Sequence, residues 1–377
     1  MTTIHADGYV AAGFRRVADT FLANFDKHGD TGAACTIYVH GEPVLDLWAG
    51  SSERGSFTRD TRSVLFSVSK GITTICLLMA AEEGHLALDA PVAQYWPEFA
   101  ANGKSSVTVR QLLAHQAGLI APEERLTVDD LRAWTPVTEA LAAQKPLWTP
   151  GTSHAYHAIT IGWLAGEVLR RTTGKRPSEW LRERISGPLG LSLTFGADPD
   201  AADFAPLGDP LPSQEPAEAD LTDLDLVARV MGMNGALDGM NLFTTANHPD
   251  FLSYEVPAGN LVGTAHDLAR LYSATINGVD GIQLLRPDTI RDARRPLSEG
   301  RPFFGADAGL RWGSGFMIDS PRRTMAGPGS FGHDGAGGQL AFANPELGVA
   351  FGYQTIRPGG EPDHRAEDLC RALRGCL

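Results

Sequence analysis

Strand-like segments lie at both ends of this chain, and a long helical stretch separates them. Near the N-terminus, residues 34–39 and 44–48 are rich in β-branched and aromatic side chains and flank a Gly-containing turn, which reads as a hairpin. Near the C-terminus, residues 310–318, 330–333, 339–343 and 348–353 read as further strands, with Asn344-Pro345-Glu346 as a turn. Helical spacing appears over 9–27, 67–83, 110–117, 128–143, 160–172, 178–185 and 364–373. Residues 196–219 are rich in Pro, Asp and Ala without periodicity and read as a surface loop. Strands drawn from both ends must pair over long range, so the middle is an insertion. The expected fold is α+β: an antiparallel sheet flanked by helices, built from 1–90 and 251–377, with a mainly helical insert over 91–250. A cleft between two such units is a usual place for a ligand.

Composition narrows the function classes. The net charge is −13, with 32 basic and 45 acidic residues. No basic run exceeds two residues, which argues against nucleic-acid partners. The four cysteines show no zinc spacing, and the histidines include no HExxH, so no metal or other cofactor is expected. The best apolar run, 72–81, is too short to span a bilayer. No basic and then apolar leader is visible, and the expectation is a soluble cytoplasmic protein with no membrane partner, possibly a homo-oligomer. Cys370 and Cys376 are close enough in sequence to pair, but nothing requires it.

Chemistry enters with Ser67-Val68-Ser69-Lys70. On a helix, positions i and i+3 share a face, so the Ser67 hydroxyl and the Lys70 amine can meet. Ser67 falls at the expected helix start, where free N–H groups favour developing negative charge. Burial would lower the lysine pKa and let it accept the serine proton. Only five lysines occur in the chain, none after Lys175. Further along come Leu112-Leu113-Ala114-His115-Gln116-Ala117-Gly118-Leu119, then Pro150-Gly151 ahead of Tyr156-His157-Ala158. The segment Pro257-Ala258-Gly259-Asn260-Leu261-Val262-Gly263-Thr264 and the run Phe331-Gly332-His333-Asp334-Gly335-Ala336-Gly337-Gly338 follow.

In that order, these segments resemble the β-lactamase/penicillin-binding-protein superfamily, and in particular the family VIII carboxylesterases, relatives of class C β-lactamases. The resemblance runs from about residue 14 to residue 355. It implies a β-lactamase/transpeptidase-like fold and a serine hydrolase that works through an acyl-enzyme. It implies Ser67 as nucleophile, Lys70 and Tyr156 as a base system in which each activates the other, and the N–H groups of Ser67 and Ala336 as an oxyanion hole. His333-Asp334-Gly335 stands where lactamases carry Lys-Thr-Gly, and Ala158 stands where many carry an asparagine. Losing that amide and that permanent cation favours neutral, short-acyl esters over anionic β-lactams. His333 is then expected to orient Tyr156 or the substrate by hydrogen bonding. Gly335, Trp312, Phe331 and His157 are candidates for substrate contact.

Three alternatives remain open. The same site could serve a β-lactamase, a D-amino-acid peptidase or an acyl transferase. The scaffold could be inert and bind a ligand. A Ser153 nucleophile of the α/β-hydrolase type is the third, but Gly151-Thr152-Ser153-His154-Ala155 lacks the preceding apolar strand and the final glycine of that elbow.

Overall fold

The computed structural model describes residues 4–212, 224–360 and 362–377. The strands are β1 (Ala6–Val10), β2 (Gly32–Val39), β3 (Glu42–Ser52), β4 (Gly55–Ser56), β5 (Ser63–Val64), β6 (Thr194–Phe195), β7 (Leu261–Gly263), β8 (Arg311–Trp312), β9 (Met317–Ile318), β10 (Phe331–Asp334), β11 (Leu340–Asn344) and β12 (Val349–Thr355). The main sheet runs β1-β3-β2-β12-β11-β10-β9-β8, with β4 added to β3, and every pairing is antiparallel. Its centre is the pairing of β2 with β12, which joins the two ends of the chain. A second small sheet runs β5-β7-β6.

Alternation along the central strands decides what covers each face. Ile37, Phe342, Phe351 and Tyr353 point to one side, where they pack with Val17, Phe21 and Phe25 of α1 (Arg15–His28) and with Leu369 and Leu373 of the closing helix Arg365–Arg374. The other side carries small residues, Ala341, Ala343, Ala350 and Gly352, so a helix can approach closely. A Cβ at Gly352 would lie 2.3 Å from the Ala265 carbonyl oxygen, at the start of the helix Ala265–Ile276. On this side also lies α2 (Val68–Glu82), whose residues from Val68 through Ala80 are all buried. A helix buried on every side, with most of its residues apolar, belongs in a core.

The middle of the chain is helical: α3 (Val109–Leu113), α4 (Val128–Ala133), α5 (Thr135–Ala143), α6 (Thr160–Thr173) and shorter turns. Glu167 on α6 is buried, and its carboxylate accepts hydrogen bonds from Arg170, Arg171 and the Trp134 indole at 2.7–2.8 Å.

Several local expectations change. Tyr9 and Val10 belong to the edge strand β1, not to the first helix, because Gly8 with φ +120° sits against the Asp46 carbonyl of β3. The helix expected over 128–143 breaks at Trp134, which has φ 71°. The strand expected over 310–318 is two short strands around a turn at Gly313-Ser314-Gly315. The loop expected over 196–219 carries no helix or strand as far as residue 212, and 213–219 lie outside the described residues. The four cysteines are free, so Cys370 and Cys376 do not pair. Among the described residues, no helix is long and apolar enough to cross a membrane.

Candidate active site

The backbone delivers Ser67 to the first turn of α2, immediately after Phe66, a non-glycine residue with φ 47°. Strain of this kind persists only where the surroundings over-determine it. Here Leu65 N–H donates to the Leu261 carbonyl, and Val64 is paired to Val262, so the small sheet fixes the approach to the helix. Lys70, one turn on, is 4% exposed. Its Nζ lies 2.9 Å from Ser67 Oγ and donates to the Ala258 carbonyl at 2.8 Å. Tyr156 reaches the same hydroxyl from the loop before α6, its Oη donating to Ser67 Oγ at 3.0 Å. Lys70 Nζ also lies 4.9 Å from the centre of the Tyr156 ring.

Burial sets the protonation states. It lowers the Lys70 pKa to about 7, although the Asp334 carboxylate opposes the shift. Burial pushes the Tyr156 phenol well above its ordinary range, and the hydrogen bond to Ser67 only partly offsets this. Tyr156 is therefore a neutral donor at neutral pH. Burial thus moves both groups toward their uncharged forms, and brings the lysine's titration close to neutral pH.

Tyr156 is held in an aromatic box. Trp312 stacks on it with ring centres 5.1 Å apart, and His115 meets it edge-on at 5.2 Å. The His333 ring lies 6.0 Å away, but its Nδ1–H donates to the Asp334 carbonyl at 2.7 Å, and its Nε2 is buried with no protein partner. His333 thus makes no hydrogen bond to Tyr156 and serves as part of the wall behind it. Burial, reinforced by the Lys70 charge, lowers its pKa to about 4, so it brings no cation to the site.

Ser67, Tyr156, Trp312, Gly335 and Ala336 line a cavity of about 410 Å³, a size suited to a small organic molecule. Phe66, Ile159, Met231, Leu237, Leu242 and Phe251 give it an apolar wall. Ala158, in the third position of the tyrosine motif, is on the lining too. Two candidates for substrate contact are elsewhere. Phe331 is fully buried, with its ring 4.9 Å from Phe316, because its register in β10 turns it into the core. His157 is also fully buried; its Nδ1–H donates to the Ala155 carbonyl, and its Nε2 accepts from Leu119 N–H.

The turn at 335–338 presses against the nucleophile. A Cβ at Gly335 would lie 2.6 Å from the Leu65 carbonyl oxygen, so only glycine allows this approach. Among the described residues, the backbone N–H groups of Ser67 and Ala336 have no protein acceptor. Sequence reading missed the cleft's charged pair. Arg323 and Asp334 both line the cavity and are joined at 2.7 Å, so a permanent cation is present after all, already neutralised by a neighbour. The sequence offered a weak signal for it, the Arg322-Arg323 doublet before a strand. No comparable signal marked the Ala258 carbonyl as the lysine's acceptor.

Comparison with known proteins agrees with this architecture. The chain matches the beta-lactamase family over residues 14–374. It is 34% identical, over 352 residues, to the esterase/beta-lactamase LipL of Mycobacterium tuberculosis, which covers 90% of this chain and 80% of that protein. Among solved structures it resembles a penicillin-binding-protein homologue from Caulobacter crescentus, with a TM-score of 0.89 and 33% identity, over 99% of this chain and 100% of that one. A family VIII carboxylesterase superposes with a TM-score of 0.87 and 32% identity, again over 99% of this chain and 100% of the other. The chain belongs to the beta-lactamase family and is a hydrolase of the esterase/beta-lactamase fold.

Proposed function

We propose that this chain is a serine carboxylesterase that cleaves neutral, short-acyl esters through an acyl-enzyme on Ser67. One observation carries the reading: an amine and a phenol converge on a single serine hydroxyl, at 2.9 and 3.0 Å, on the wall of a cavity. Neutral Lys70 takes the Ser67 proton as Oγ attacks the ester carbonyl. The oxygen of the tetrahedral intermediate is received by the N–H groups of Ser67 and Ala336. Tyr156, protonated in the resting site, gives its proton to the leaving alkoxide and is reprotonated by the Lys70 ammonium, which holds the proton taken from Ser67. Water then attacks the acyl-enzyme by the same route in reverse.

The relatives named above, an esterase/beta-lactamase and a family VIII carboxylesterase, support this chemistry. The preference for neutral esters is supported by Ala158 in place of an amide, by a neutral His333, and by an Arg323 already engaged by Asp334.

The test compares p-nitrophenyl butyrate with a chromogenic cephalosporin and labels the protein with a fluorophosphonate. The wild type is expected to favour the ester and to label at Ser67, and Ser67→Ala is expected to lose about 10⁴-fold or more in kcat. Ester turnover in Ser67→Ala close to that of the wild type would sink the assignment. Cephalosporin turnover exceeding ester turnover would move the function to a β-lactamase on the same residues.

A further inference from the structure

A guanidinium is costly to bury, yet the side chain of Arg365 is 0% exposed. All its donors are used. Nε donates to Asp363 Oδ1 at 2.9 Å, and Nη1 to Asp30 Oδ1 at 2.7 Å, to Thr355 Oγ1 at 3.1 Å and to the Arg357 carbonyl at 2.9 Å. Nη2 donates to Asp363 Oδ2 at 2.6 Å and to the Gly337 carbonyl at 3.1 Å. Asp30 is held in turn by the hydroxyls of Tyr353 and Thr355, both at 2.5 Å. The network thus ties together the segment before β2 through Asp30, strand β12 through Tyr353 and Thr355, and the segment leading into the closing helix through Asp363, and from there it reaches the turn beside Ser67 through the Gly337 carbonyl.

We propose that Arg365 is a positioning residue for the reaction: it holds the 335–338 turn so that the Ala336 N–H stays aimed at the reacting carbonyl. The inference rests on the Ser67 reading above. Gly337 is gripped on both sides. Its carbonyl accepts from Arg365 and from the Gly359 N–H at 3.2 Å, and its own N–H donates to Gln339 Oε1 at 3.1 Å. Gln339 Nε2 is tied to the Thr355 carbonyl at 3.1 Å, so this second grip leads back to β12. The turn has no slack. A Cβ at Gly338 would lie 2.3 Å from Asp363 Oδ2, and one at Gly335 would lie 2.6 Å from the Leu65 carbonyl oxygen. The turn is thus wedged between a buried ion network and the segment that carries the nucleophile. An oxyanion donor acts through preorganisation, so a small slackening is felt in the transition state more than in substrate binding.

Arg365→Lys tests this. A lysine keeps the charge but has no planar fork to span Asp30, Asp363 and the Gly337 carbonyl. In the full chain, assayed well below the thermal transition, kcat for p-nitrophenyl butyrate should fall by about 10- to 100-fold, with KM within about threefold. The affinity of an alkyl boronate, which forms a tetrahedral adduct on serine, should fall in parallel. A purely structural role would lower the melting temperature and leave both readouts alone, and that result in a folded variant overturns the proposal. Should Arg365→Lys fail to fold, Asp363→Asn decides on the same readouts, since it keeps the Arg365–Asp30 pair and weakens the Asp363 carboxylate's hold on the guanidinium and on the Arg365 N–H beside the turn. Unchanged kcat and boronate affinity there would likewise overturn it. Phosphonate labelling separates the two failures: a wild type that does not label at Ser67 sinks the parent reading, whereas normal labelling with unaffected variants sinks this inference alone.

Discussion

At the scale of single residues, the site turns on how burial divides protons between Lys70 and Tyr156. Desolvation disfavours the charged form of each, so it lowers the amine toward neutral pH and raises the phenol. In the proposed mechanism the active form holds neutral Lys70, so activity should be lost as pH falls through the lysine's pKa and retained above it. With that pKa at about 7, kcat/KM for a neutral ester should level off on the alkaline side and drop about tenfold per pH unit on the acid side. A flat profile from pH 5 to pH 8 would show that Lys70 is not the proton acceptor. The serine–lysine spacing was readable in the sequence because one helical turn places those two side chains together whatever the rest of the chain does. The direction of the tyrosine's shift was not readable, because it depends on Trp312, His115 and His333 closing around the ring from three distant segments.

Elements were legible where one periodicity dominated and illegible where two readings shared it. Strand β12 and helix α6 appear close to where alternation and helical spacing put them. Val10, Phe14 and Val17 keep a helical interval, yet Val10 is a strand residue, because pairing of β1 with β3 outweighs a local pattern. The break at Trp134 had a visible cue in Pro136, which starts a helix more readily than it sits inside one. That break has a consequence. It turns the Trp134 indole onto Glu167, whose carboxylate is also the acceptor for Arg170 and Arg171. Glu167→Ala leaves the buried indole N–H without its acceptor and removes the carboxylate shared by Arg170 and Arg171, although Arg171 keeps Glu98 at 3.1 Å, and should destabilise the fold by about 2 kcal/mol in chemical denaturation. A loss below about 0.5 kcal/mol would mean that water replaces the carboxylate at no cost. On the sheet, Gly352→Val should destabilise by about 3 kcal/mol or more, because the added atoms meet the Ala265 carbonyl and must push the helix Ala265–Ile276 off β12. Unfolding midpoints of the pair of variants check both statements.

At the scale of the whole molecule, charge decides which substrates approach and which stay. The chain carries −13 in net charge, and a field of that sign lowers the local concentration of anions. Inside the cleft, Arg323, a cation that could help offset it, is tied to Asp334 at 2.7 Å. Composition showed the overall acidity, but the pairing was hidden because the partners lie on separate segments that meet only in the folded sheet. Asp334→Asn separates the two effects. It leaves Arg323 a free charge on the cavity wall, worth about 1.5–3 kcal/mol for a charged hydrogen bond to a carboxylate, so the ratio of kcat/KM for a hemisuccinate ester over that for a butyrate ester should rise by about tenfold or more. The same substitution removes the negative charge that raises the Lys70 pKa, so the acid limb of the butyrate profile should move to lower pH. The signs are independent, since one is read in substrate preference and the other in the pH at half activity. A variant whose preference is unchanged while its acid limb shifts downward would show that Arg323 does not face the substrate. A limb that moves upward would show that Asp334 does not act on the lysine through its charge.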